Sequence, residues 1–310
     1  MTTLAHIDLN NVVKPDVAHF YDPLTWTLTY VVSDPGTGHC AIIDPVLDLD
    51  YPSGTLNTAS ADRVVAYVKG LNLVVDYIIE THVHADHLTS APYLQEQLGG
   101  QIVIGSQITT IQESFAAIYN ESADFPVNGS QFDLMFSNND MFKIGDLRCH
   151  AFHVPGHTPA CMAYLIGDAL FVGDTLFMPD GGSARCDFPG GDAGTLFQSI
   201  RRLMTLPGST RVFVCHDYQP DDRELAFEST MREQQRSNIH VNDRITQAEF
   251  VAMREARDAT LGMPTLILPS LQVNMRAGHL PPSDGNSRLF LSVPLNAFGG
   301  ENLARFMASK

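Results

Sequence analysis

Thr81-His82-Val83-His84-Ala85-Asp86-His87 puts three imidazoles and a carboxylate within six residues. The stretch directly follows the mostly apolar run Val74-Val75-Asp76-Tyr77-Ile78-Ile79-Glu80, which reads as a buried strand. In the extended continuation of that strand His82 and His84 point the same way, because side chains repeat every two residues. Asp86 and His87 then lead toward a helix expected from Ser90 to Gln97, with Ser90 as its cap and Pro92 tolerated in its first turn. This layout forms a pocket rim at the carboxyl end of a strand, where α/β sheets hold their ligands.

One loop cannot enclose a metal, and three more segments have the same form. His153-Val154-Pro155-Gly156-His157-Thr158-Pro159, Phe171-Val172-Gly173-Asp174-Thr175 and Val212-Phe213-Val214-Cys215-His216-Asp217-Tyr218 each carry a His or Asp just beyond a strand-like run. A single His after a strand is ordinarily a hydrogen-bonded turn residue. Four such loops, one of them this dense in ligands, are expected to share one metal site at one edge of a sheet.

The remaining chain frames that site. Its 310 residues and 44% hydrophobic content support a packed core. A net charge of −16 argues against a nucleic-acid surface, which needs a basic stripe. Met1 to Asn10 lacks a basic segment followed by an apolar run, and no stretch approaches the length of a membrane span, so a cytoplasmic, membrane-free protein is expected. The five cysteines are scattered and suit neither a disulfide framework nor a zinc knuckle. Strands are expected over 26–33, 40–46, 101–105, 143–152 and 163–172, the last broken at Gly167-Asp168. Helices are expected over 61–71, 195–205, 223–235 and 246–257, with Leu196, Ile200, Leu203 and Met204 on one face of the second. Residues 121–140 and 264–273 read as irregular. The chain divides into residues 1–230 and a C-terminal extension, 231–310, packed on the core near the site mouth.

The order HxHxDH, then His in PGHT, then GDT, then a last His resembles the metallo-β-lactamase superfamily over roughly residues 25–220. That resemblance implies an α/β fold, an αββα sandwich with metal at the edge between its sheets. It also implies two possible metal positions: His82, His84 and His157 with Asp174 bridging, and Asp86, His87, Asp174 and His216. Within the superfamily, Ala184-Arg185-Cys186-Asp187-Phe188, Cys215-His216-Asp217-Tyr218 and the tail Leu268 to Gly278 are similar to persulfide dioxygenases, in a bacterial subgroup with a longer C-terminal region. The family resemblance implies one Fe(II) per chain on His82, His157 and Asp174. Two imidazoles and a carboxylate on one face leave positions open for O2 and a second donor. His84, Asp86, His87 and His216 then orient ligands, or are relics of a second metal.

The implied reaction oxidises glutathione persulfide with O2 to sulfite and glutathione. The alternative is a glyoxalase II-like hydroxyacylglutathione hydrolase with a dinuclear zinc site. Tyr218, Arg185 and Arg276 are candidates to hold the glutathione moiety, although Arg185 can instead pin its own loop by pairing with Asp187 or Asp192. Cys186 reads as a structural thiol, and His6, His19, His39, His150, His153, His240 and His279 have no ligand context. Related proteins often pair, so a homodimer is compatible with the sequence.

Overall fold

The computed structural model describes residues 3–10, 12–283 and 286–298. In chain order the strands are β1 (Asp16–Asp22), β2 (Thr27–Ser33), β3 (His39–Ile43), β4 (Val46–Asp50), β5 (Thr55–Asn57), β6 (Val74–Ile79), β7 (Leu88–Thr89), β8 (Gln101–Gly105), β9 (Leu134–Phe136), β10 (Met141–Ile144), β11 (Leu147–His153), β12 (Met162–Ile166), β13 (Ala169–Phe171), β14 (Arg211–Phe213) and β15 (Glu228–Thr230). The helices are α1 (Ala59–Gly70), α2 (Ala91–Leu98), α3 (Ile108–Tyr119), α4 (Ala193–Leu203), α5 (Met231–Ser237), α6 (Gln247–Asp258) and α7 (Ile267–Asn274).

One sheet runs β1-β2-β3-β6-β8-β9 and a second runs β10-β11-β12-β13-β14-β15, while β5-β4-β7 forms a small third sheet. The first sheet is antiparallel from β1 to β3 and parallel from β3 to β9. The second is antiparallel except between β13 and β14. Period-two alternation sorts the side chains of the first sheet. Leu28, Tyr30, Val32, Ile43, Ile79 and Val103 join the core shared with the second sheet. Val31, Ile42, Ile78, Ile102 and Ile104 face the opposite way, toward residues of α1, α2, α3 and α7. Leu196, Phe197, Ile200 and Leu203 of α4 cover the outer face of the second sheet. The result is an α/β sandwich of the αββα type.

Several elements depart from the sequence reading. The expected strand 143–152 is a hairpin, β10 to β11, that turns where Gly145 takes φ +56°. The segment 121–140 contributes β9, and 223–235 holds β15 before its helix begins. β1 and α3 had no expected counterpart. Residues 264–273 were expected to be irregular, yet α7 forms there. Pro269 sits in its first turn, where a missing N–H breaks no bond, and nearly every residue of this helix is buried, so it shows no amphipathic stripe. Ser90 occupies the N-cap position of α2 without making the bond. The hydroxyl of Thr89 accepts instead, from the Ala91 N–H at 3.0 Å.

α6 anchors the segment after Asp174. Arg254, buried, donates to Asp258 at 2.6 Å and to the Ser183 carbonyl at 3.0 Å, and Asp258 accepts from the Cys186 N–H at 2.8 Å. His240 accepts from the Ser183 N–H through Nδ1 at 3.0 Å. Burial, with Arg254 and Arg257 nearby, lowers its pKa to about 4. The unfolded chain therefore binds a proton between about pH 6.5 and 4 that the folded chain refuses. This contribution to stability is complete above pH 6.5 and is lost as pH falls through that window, by at most a few kcal/mol. Replacing His240 with Asn should flatten the dependence of melting temperature on pH over that interval. An unchanged slope would remove His240 as its source.

Candidate metal centre

The four loops seen in the sequence leave β6, β11, β13 and β14 at their C-terminal ends and meet at one edge of the sandwich. Main-chain bonds tie the two sheets together there. The Met162 N–H donates to the Thr81 carbonyl at 2.9 Å, and the Leu28 N–H donates to the Cys215 carbonyl at 2.8 Å. Two glycines let the loops close on one another. Gly156 takes φ +142° against α4, and Gly173 takes φ +50° against the Thr81 side chain.

His82, His157 and Asp174 bring one donor atom each into a single group. Asp174 Oδ2 lies 3.5 Å from His157 Nε2 and 4.0 Å from His82 Nε2. Its Oδ1 lies 3.4 Å from His216 Nε2, which is 3.3 Å from Asp86 Oδ2. His84, Asp86 and His87 form a second group beside the first.

The hydrogen bonds behind these rings set their tautomers. The Thr81 hydroxyl donates to Asp44 Oδ2 at 2.9 Å, so it accepts from His82 Nδ1–H at 3.0 Å and leaves the His82 Nε2 lone pair free. His157 Nδ1–H donates to the Arg185 carbonyl at 2.7 Å, with the same result. His84 is turned the other way: its Nε2–H donates to Asp44 Oδ1 at 2.9 Å and lies 3.4 Å from Glu80, leaving Nδ1 toward the pocket. Anchoring the far nitrogen in this manner is what metal-bound imidazoles require.

The donor set fits a cation. His82 Nε2, His84 Nδ1, His87 Nε2, His216 Nε2 and Asp174 Oδ1 are buried and have no hydrogen-bond partner. An unsatisfied buried polar atom costs about 1–3 kcal/mol, so a cluster of them calls for a positive ion. Burial, with His84 and His157 close by, holds His82 well below the ordinary imidazole range, so it stays neutral and free to ligate. Burial alone would push the Asp86 carboxyl up, but His216 and His87 outweigh it and keep the group ionised. At His84 burial is outweighed by Asp44 and Glu80, which raise its pKa, so a metal bound at Nδ1 displaces a proton from it.

The candidates for glutathione are placed differently from one another. Tyr218 stacks on His216 at 5.7 Å and remains 52% exposed. The Arg185 guanidinium is fixed within the fold, bonded twice to Asp187 at 2.6 Å and to the Gly262 carbonyl at 2.7 Å. Its carbonyl, rather than its charge, serves the centre. Arg276 is buried and bonded to Glu121 and the Gln272 carbonyl.

Sequence reasoning passed over Asp44, Glu80, Thr81 and Asn274. The first two could have been found as acids ending apolar strands, Cys40–Asp44 and Val74–Glu80. Asn274 gives no local signal. An apolar cleft lined by Val83, Ala85, Ile111, Phe115, Phe188 and Leu271 reaches His157.

Residues 27–216, which span all four loops, match the metallo-beta-lactamase superfamily. The chain belongs to that superfamily. Its membership and the His/Asp cluster together imply a bound metal. Among relatives, the chain is 50% identical over 291 residues to a Burkholderia pseudomallei protein named "Probable metallo-hydrolase", covering 91% of this chain and 99% of that one. It is 46% identical to Glyoxylase B2 of Dictyostelium discoideum (86% and 92% covered) and 29% identical to the human mitochondrial persulfide dioxygenase ETHE1 (85% and 89% covered). The solved structure of ETHE1 from Myxococcus xanthus superposes with a TM-score of 0.68 at 28% identity, covering 85% of this chain and all of that one. Among the described residues no helix is long and apolar enough to cross a membrane.

Proposed function

We propose that this member of the superfamily is an iron-dependent persulfide dioxygenase, converting glutathione persulfide, O2 and water to glutathione and sulfite with release of two protons. The observation that carries the reading is the His82–His157–Asp174 triad, whose His157 borders a small apolar cleft. Two imidazoles and one carboxylate suit a single Fe(II). Iron bound there supplies the redox chemistry that oxygen insertion at sulfur needs and that zinc lacks. The apolar lining beside His157 suits an apolar gas. Likeness to two proteins named ETHE1 supports the same reading.

In this scheme Asp174 balances positive charge. Thr81 and the Arg185 carbonyl hold His82 and His157 in the ligating tautomer. His84, Asp86, His87 and His216 border the triad and order water beside it. Tyr218, exposed at the mouth, is the proposed contact for the glutathione moiety. No side-chain nucleophile is required, because holding sulfur and oxygen together in one site is itself the main kinetic gain.

A dinuclear zinc hydrolase acting on a glutathione thioester is the second reading. The unpaired His84 Nδ1, His87 Nε2 and His216 Nε2 favour it, as do the names of the relatives at 46–50% identity. Metal-free protein loaded with Fe(II) or Zn(II) separates the two. The dioxygenase reading expects about one iron per chain, the number one triad holds, with O2 uptake matched by sulfite on glutathione persulfide, and neither with zinc. Two tightly held zinc ions, with glutathione released from S-lactoylglutathione without O2, would overturn it.

A further inference from the structure

Asn274, buried in the last turn of α7, directs its whole amide at the loop that carries the histidines. Its Nδ2 donates to the His84 carbonyl and to the His87 carbonyl, both at 2.8 Å, and its Oδ1 accepts from the Thr89 N–H at 2.9 Å. Those partners bracket Asp86 and lie 185 to 190 residues earlier in the chain. α7 is in turn held from behind by α3 and the residues after it. Gln112 donates to the Met275 carbonyl and Tyr119 to the Leu268 carbonyl, each at 2.9 Å, and Arg276 pairs with Glu121.

We propose that Asn274 is a positioning residue of the metal centre. By fixing two carbonyls and one N–H of the 84–89 turn, it sets the peptide planes that aim His84 Nδ1, Asp86 and His87 Nε2 into the common pocket. The C-terminal region thereby contributes to the metal site without supplying a ligand. The inference rests on the metal reading above but not on which reaction follows.

Asn274→Asp is the sharpest variant, being isosteric. It keeps the acceptor for the Thr89 N–H, loses both donors, and sets a carboxylate against two carbonyls. Asn274→Ala is its companion. Gln272→Ala is the control on the same helix, since the Gln272 side chain bonds the Leu268 carbonyl and the Ser292 main chain rather than the 84–89 turn. The full chain, stripped and reloaded with Co(II), is read by its visible absorption bands, by competition with a chelator, and by the melting temperature of the metal-free form.

Both Asn274 variants should shift the cobalt bands and weaken binding by about 10–100-fold, the usual effect of losing a group behind a ligand. Gln272→Ala should melt lower yet keep wild-type bands and affinity. If Asn274→Ala does not fold, Asn274→Asp decides alone. Wild-type bands and affinity in Asn274→Asp, whatever its melting temperature, would reduce Asn274 to a packing role and overturn the proposal. Failure of the wild-type chain to take up cobalt would overturn the metal reading beneath it.

Discussion

Replacing Asp174 with Asn should leave the protein unable to hold its metal while making the metal-free chain more stable. Asp174 is 8% exposed and faces three imidazoles. Its Oδ1 has no hydrogen-bond partner and neither do His82 Nε2 and His216 Nε2. With a cation present this crowd of acceptors is an asset. Without one, each unsatisfied atom works against folding by about 1–3 kcal/mol. An Asn amide has nearly the same shape but brings two N–H donors. It can donate to the imidazole lone pairs that the metal would otherwise engage, and it removes the triad's only negative charge. Metal affinity should therefore fall by more than the roughly 100-fold typical of groups behind the ligands. The melting temperature without metal should rise by a few degrees, as expected for about 1 kcal/mol in a large domain. Metal analysis and paired melting curves test both halves. A variant that retains a full complement of metal would remove Asp174 from the triad.

Gly156→Ala should be strongly damaging to both the fold and the metal site. Gly156 precedes His157 and takes φ +142°, a conformation costly for any residue with a Cβ. An added methyl would lie 2.3 Å from Leu196 Cα and 2.4 Å from Leu196 N. These are backbone atoms of α4 and cannot turn aside like a side-chain tip. The loop must move or α4 must shift off the second sheet, and Leu196 and Ile200 bury there. Overpacking typically costs about 1–3 kcal/mol and strained backbone about as much again, so a loss of about 3 kcal/mol or more is expected, with His157 displaced. Denaturant unfolding measures the first effect and metal content the second. A loss below about 1 kcal/mol would show that the loop has room that the packing denies it.

The sequence exposed the parts of this protein that depend on short-range pattern. Strands such as Thr27–Ser33 and Val74–Ile79 announce themselves by apolar runs, and the loops after them by the placement of His and Asp. The carbonyl that aligns His157 comes from Arg185, and the acid that aligns His84 comes from Asp44, forty positions away. Such partners are fixed by the crossing of strands, which no local window contains. The helix at Ile267–Asn274 was missed for a related reason. It is buried on almost every side, and its polar residues Ser270, Gln272 and Asn274 lie inside with its apolar ones. Arg185 pairs with Asp187, one of the two loop-pinning partners its sequence neighbourhood offered, whereas the partner of Arg276, Glu121, lies far from it in the chain.

All five cysteines are buried and unpaired with one another. Burial pushes the thiols of Cys40 and Cys161 up to about 12, and those of Cys149, Cys186 and Cys215 higher still. Thiol exchange proceeds through the thiolate, so at neutral pH the chain offers no sulfur nucleophile of its own. On the proposed persulfide reading, this would keep the transferable sulfur of the substrate from passing to Cys161, Cys186 or Cys215. The same property leaves these residues slow to climb toward sulfenic and sulfinic acids wherever oxygen and reactive sulfur meet.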